Sequence, residues 1–171
     1  MESNFSEIYP YQSLGKYYQF TTAQNIVVHL FLDPKWFPDN PEIAEACSFF
    51  ILTNKPSIGV DIRLRNTVLD ILANFLKENE PIIIYHCDPH DGKGHKRFTK
   101  FNRWSSLIND QTIEKHDRQV IVKDLKIDED GNCVRSELVV YASLLLRKTH
   151  PNYEAAIRIF YSGDLDQTGK L

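Results

Sequence analysis

The sequence predicts an α+β domain: a mainly antiparallel sheet in the order βββαβαββα with helices packed on one side. Three observations predict it. Short runs of β-branched and aromatic residues alternate with turn residues, and two longer stretches carry apolar residues at helical spacing. Asp130-Gly131, set between two β-rich runs, is the strongest hairpin signal in the chain. Hairpin connections imply antiparallel pairing, because parallel neighbours need a long crossover.

The strands begin near Lys16. Lys16 to Thr22 and Asn25 to Asp33 are rich in Tyr, Phe, Ile and Val, and the polar break Ala23-Gln24 between them suggests a hairpin. In its second strand Val28, Leu30 and Leu32 share one face. Pro34 to Glu45 reads as a loop, and Ala46 to Thr53 as a third strand through Phe49, Phe50, Ile51 and Leu52. Asp61 then precedes Leu64, Val68, Ile71, Leu72 and Phe75, which recur every three or four residues and predict a helix of about four turns that closes near Asn79.

Ile82 to Tyr85 is brief, apolar and β-branched, as a buried strand is. A loop at Asp88 to Gly94 leads into a second helix, Gly94 to Ile108, whose Phe98, Phe101, Trp104 and Ile108 fall on one arc. Arg118 to Ile127 and Cys133 to Lys148 form the two β-rich runs around Asp130-Gly131, with Leu138 to Leu146 central in the sheet. Pro151 and Asn152 open a short last helix through Ala155, Ala156, Ile159 and Phe160.

Composition bounds the function. A chain of 171 residues with 42% apolar content suits a single domain spanning 1–171, with a core over about 16–162, an irregular lead-in at 1–15 and a polar tail at 163–171. A net charge of -3 excludes whole-molecule attraction to nucleic acid or an acidic membrane, so only a local basic patch could serve. Cys47, Cys87 and Cys133 are odd in number and lack paired spacing, which argues against a disulfide framework or a zinc ribbon. The start of the chain has no basic segment followed by an apolar run, and nowhere do apolar residues approach the roughly 18 of a membrane span. A cytoplasmic protein with no membrane association is expected.

One segment is chemically crowded. His86, Cys87, Asp88, His90, Asp91 and His95 gather at a strand end and a helix start, where function often lies. The strand-Cys-loop-helix order resembles the phosphate loop of cysteine phosphatases, but the position of that family's Arg holds Lys93, and Asp88 and Asp91 would repel phosphate. His86, Asp88, His90, Asp91 and His95 could ligand a divalent metal, yet no regular spacing fixes three of them, so no metal or other cofactor is assigned. Lys93, Lys96, Lys100 and Arg103 project as one narrow stripe, with no acid between Asp91 and Asp110. Arg97 falls beside Phe101 and Trp104 instead; Asp88 or Asp91 should partner it, and Trp104 could accept its cationic face. Asp91, near the helix start, can accept from unpaired N–H groups there. His29 reads as a packed or edge histidine, and His116 and His150 as solvated.

Two stretches resemble a family of small bacterial proteins classed only as a domain of unknown function. They are Asp61-x-Arg63-Leu64-x-x-Thr67-Val68, and Tyr85-x-Cys87-Asp88-x-x-Asp91-Gly92 followed by Arg97, Phe101 and Arg103-Trp104; Tyr18-x-Phe20-x-Thr22 is similar too. The resemblance spans about residues 16 to 162. It implies that Cys87, Asp88, Asp91, Arg97 and Trp104 belong to the family's pattern while His86, His90 and His95 do not, and it brings no activity with it.

The leading expectation is a non-enzymatic binding domain that engages an acidic or phosphate-bearing partner through loop 88–94 and the basic helix 94–108. Its binding residues would be Lys93, Lys96, Arg97, Lys100 and Arg103. The alternative is a hydrolase, acting on a phosphate ester or with a metal, at the 86–97 junction and built from Cys87, Asp88, His90, Asp91 and Arg97. A homo-oligomer paired through an exposed sheet face or edge strand is the structural possibility.

Overall fold

A computed structural model of the chain describes residues 7–34, 40–56, 58–108, 110–127 and 131–162. The tail at 163–171 and Asp130 of the expected turn lie outside them, as do residues 1–6 of the lead-in and residues 35–39 of the expected loop. The fold is α+β, with a mostly antiparallel sheet. Its strands are β1 Tyr11–Ser13, β2 Tyr17–Thr21, β3 Val27–Pro34, β4 Cys47–Thr53, β5 Ile83–Cys87, β6 Ile113–Ile127 and β7 Cys133–Arg147. The helices are α1 Ile62–Asn79, α2 Gly94–Ser105 and α3 Tyr153–Ser162.

Across the sheet the strands run β1-β2-β3-β4-β5-β7-β6. Every neighbouring pair is antiparallel except β4 with β5, which α1 joins as the crossover that a parallel pair requires. The expected hairpin forms between β2 and β3, with Phe20 opposite Val28. Val28, Leu30 and Leu32 are all buried on one face, as their alternation requires.

Four strands precede α1 where three were expected. The additional one, β1, lies in the stretch read as an irregular lead-in; Tyr11 pairs with Phe20, and the Tyr11 hydroxyl donates to Asp70 Oδ2 at 2.9 Å. Three residues carry too little alternation to register as a strand, so long-range pairing decides it. Next to it the backbone N–H of Tyr9 donates to Thr67 Oγ1 on α1, and the Tyr9 ring stacks on Phe20 in the core.

α1 starts where Asp61 predicts. The Asp61 Oδ1 accepts from the Leu64 N–H at 2.8 Å, satisfying one of the helix's unpaired donors. Val68, Ile71 and Leu72 are buried, and the helix runs through Asn79 to a left-handed Glu80. It is 18 residues long, about five turns.

Two apolar layers sandwich the sheet. Ile83, Tyr85 and Cys87 of β5, with Leu145 of β7, face α1 and α2 and join Val68, Leu72, Leu76 and Trp104 in one cluster. Ile84 of β5 and Ala142, Leu144 and Leu146 of β7 face the other way and bury Ala156 and Phe160 of α3. The expectation of helices on one side is therefore corrected: α3 covers the opposite face. Strands β5 and β7 are apolar on both faces and each face needs cover, which α1 and α2 give one and α3 the other.

The β6–β7 hairpin is longer than the β-rich run suggests. Glu114, Lys115, His116 and Asp117 extend β6 back to Ile113, paired with β7 from Arg147 to Ser143. His116, read as solvated in the sequence, is packed instead: its imidazole lies edge-on to Tyr153 and Tyr161 of α3, with Glu114 Oε2 3.9 Å from its Nε2.

Candidate functional site

The crowded junction is built by β5, a tight loop and α2. β5 ends at Cys87, and the loop turns through two aspartates that accept from the chain just ahead of them. Asp88 Oδ1 takes the His90 N–H at 2.9 Å and lies 2.7 Å from His90 Nδ1; Asp91 Oδ1 takes the Lys93 N–H at 3.0 Å. Gly92 sits at φ 69°, where a side chain would be strained. Gly94 opens α2 packed so closely that a Cβ there would meet the carbonyl oxygens of Asp88 and Cys87 at 3.2 and 3.3 Å.

Arg97 has the acid partner expected of it. Its guanidinium meets Asp91 fork to fork, Nη1 to Oδ1 at 2.7 Å and Nη2 to Oδ2 at 2.5 Å, while Nη1 also donates to the Asp88 carbonyl at 3.1 Å. That pairing and the Lys93 N–H hold the Asp91 carboxyl down at about 2. Asp91 does not cap α2. The residue flanking the helix is Lys93, which makes no side-chain cap, and Asp91 stands two positions earlier.

Trp104 receives a different cation from the one anticipated. Lys100 Nζ lies 4.6 Å from the centre of the ring, and burial against it lowers the Lys100 pKa. Helical side chains lean toward the N-terminus, so Trp104 covers the turn carrying Lys100, while Arg97 leans back over the loop to Asp91.

Cys87 is buried, 2% exposed, and burial pushes its thiol up to about 11 despite the nearby cations Arg97 and Lys115. A nucleophilic thiol needs a shift in the other direction. His86 is half-buried, and desolvation lowers its pKa. Among the described residues no three of His, Cys, Asp and Glu come together in a way that could hold a metal ion.

A concave feature lies one helix face away. A groove of about 600 Å³ runs between the start of α1 and the outer face of α2. Lys96, Thr99, Lys100 and Arg103 line one wall, spaced three and four apart as one helical face; Val60, Ile62, Leu64 and Arg65 line the other. Its lining holds one acid, Asp61, whose oxygens are occupied by the Leu64 N–H and, at 3.1 Å, the Tyr9 hydroxyl. Among the described residues Arg65, Lys96, Lys100 and Arg103 have no ion-pair partner.

Three of the five residues expected to bind, Lys96, Lys100 and Arg103, thus meet in the groove, whereas Lys93 and Arg97 do not line it. Cys87, Asp88, His90 and Asp91 do not line it either. The α1 wall was absent from the sequence reading. The sequence carried a signal in Ile62, an apolar residue off the periodic arc of α1, and in Val60 just before the helix; the structure leaves them 58% and 94% exposed.

Residues 60–162 match the model of a family described as a family of unknown function (DUF6169). Neither a curated protein nor a solved structure matches the chain.

Proposed function

Since the chain belongs to DUF6169, a family of unknown function, its own geometry has to carry the functional reading, and we propose that it is a non-enzymatic binding domain for an acidic or phosphate-bearing partner. One observation carries this: Arg65, Lys96, Lys100 and Arg103 converge on a groove of about 600 Å³ with no acid paired to any of them among the described residues. Clustered like charges repel one another and gain from an anion between them. In this reading loop 88–94 acts as a support, its aspartates tying down the start of α2, and the groove face of the helix makes the contacts. The setting we read for it is the cytoplasm, because the cysteines Cys47, Cys87 and Cys133 are odd in number and lack the paired spacing of a disulfide framework.

A hydrolase at the 86–97 junction has less behind it, because the thiol of Cys87 is buried and raised and Asp91 and Arg97 neutralise each other. The test uses labelled single-stranded RNA and a labelled poly-glutamate peptide. Both should bind weakly and in a salt-dependent manner, and the triple variant Lys96→Ala, Lys100→Ala, Arg103→Ala should bind less, with the RNA salt slope reduced by about two. Unchanged binding and slope in that variant would sink the reading.

A further inference from the structure

The groove is two-sided, and its second wall says more about the occupant than its charge does. On the α2 side Lys96, Lys100 and Arg103 stand at intervals of four and three residues, a cationic row of about 10 Å along the helix. Facing them, Val60 and Ile62 present apolar side chains to solvent at 94% and 58% exposure, and Ile58, just outside the groove, stands at 83%. Ile58 is held in place: the Gln24 side chain donates to its carbonyl oxygen at 2.9 Å and accepts from its N–H at 3.2 Å. A fixed backbone with apolar side chains in water leaves unburied a favourable contribution of the kind that drives association.

On the foregoing reading of the groove as an anion site, we propose that its occupant is an acidic amphipathic peptide segment of a partner protein. Such a segment would lay carboxylates along Lys96, Lys100 and Arg103 and apolar side chains on Val60 and Ile62. A row of separated cations suits several carboxylates on one chain better than a single compact phosphate. The apolar wall suits side chains that nucleic acid and inorganic anions do not have. The concave shape matches a helix or extended segment lying in a groove, whereas a bilayer surface is flat and meets protruding residues. Trp104 is buried beneath Lys100 and offers no open ring on which a base could stack.

The experiment uses the whole chain and four probes: a fluorescein-labelled peptide of alternating Glu-Glu-Leu-Leu blocks, an all-Glu peptide of equal length, single-stranded RNA, and vesicles of phosphatidylserine with phosphatidylcholine. The Glu/Leu peptide is expected to bind at least tenfold more tightly than the all-Glu peptide. The double variant Val60→Ser, Ile62→Ser, in which both changed side chains are exposed, should erase that difference by weakening Glu/Leu binding far more than all-Glu binding. Circular dichroism checks that the variant is folded. Equal affinity for the two peptides, or an advantage that survives in V60S/I62S, overturns the amphipathic occupant and leaves the anion site standing. Tighter binding to vesicles or RNA than to the Glu/Leu peptide overturns it in favour of a membrane surface or a nucleic acid. If none of the four probes responds to the Lys96→Ala, Lys100→Ala, Arg103→Ala variant, the anion site itself fails.

Discussion

Arg97 and Asp91 face each other through two parallel hydrogen bonds, 2.7 and 2.5 Å long, across the turn that joins β5 to α2. The pair is about two-fifths exposed on each side, so it fixes the loop's shape more than it stabilises the fold. It also occupies two of the five residues from which a hydrolase at the 86–97 junction would be built.

Asp91→Asn keeps an acceptor for the Lys93 N–H but removes the charge facing Arg97. The folded carboxyl sits near 2, below its ordinary 3.8, so the stabilisation is present above about pH 4 and is lost as pH falls toward 2. Urea midpoints of the native chain and D91N should differ slightly at pH 7 and converge between pH 4 and 2. A gap that widens on acidification would contradict the pairing.

Asp61 fills two roles, accepting from the Leu64 N–H at the start of α1 and from the Tyr9 hydroxyl. Asp61→Ala is expected to cost about 1–2 kcal/mol in equilibrium denaturation. Asp61→Asn should retain most of that, since its side-chain oxygen can still cap.

Phe160 is fully buried against the face of the sheet turned away from α1 and α2. Phe160→Ala should destabilise by about 3–5 kcal/mol. Were α3 a loosely attached appendage, the loss in a denaturant titration would be well under 1 kcal/mol.

Thiol reactivity offers a direct check on the junction. Cys133 is exposed whereas Cys47 and Cys87 are buried, so a thiol-exchange reagent at pH 8 should react quickly with one group in the native protein and with three in guanidinium. Rapid native labelling of Cys87, located by peptide mapping, would contradict a thiol raised to about 11 and revive the nucleophile.

What could be read from the sequence is what is local. Asp61 before an apolar repeat announces α1, and the runs on either side of Ala23-Gln24 announce the hairpin of β2 and β3, because capping and alternation act over a few residues. Arg97's need for an acid was equally local, since Asp91 lies within two turns of it. What failed was the partner of Trp104, where the wheel set Arg97 beside the ring and Lys100 in the surface stripe but said nothing of the N-terminal lean that gives the ring to Lys100.

The sequence by itself determined the α+β class, the helices and most strands, and a basic stripe on α2, all of which follow from side-chain periodicity along one segment. Only the tertiary structure decided that β1 joins the sheet, that α3 covers the second face, and that Val60, Ile62 and Arg65 stand across a groove from Lys96, Lys100 and Arg103. Those facts depend on which segments pack together, and packing brings together residues whose separation along the chain leaves no periodic trace.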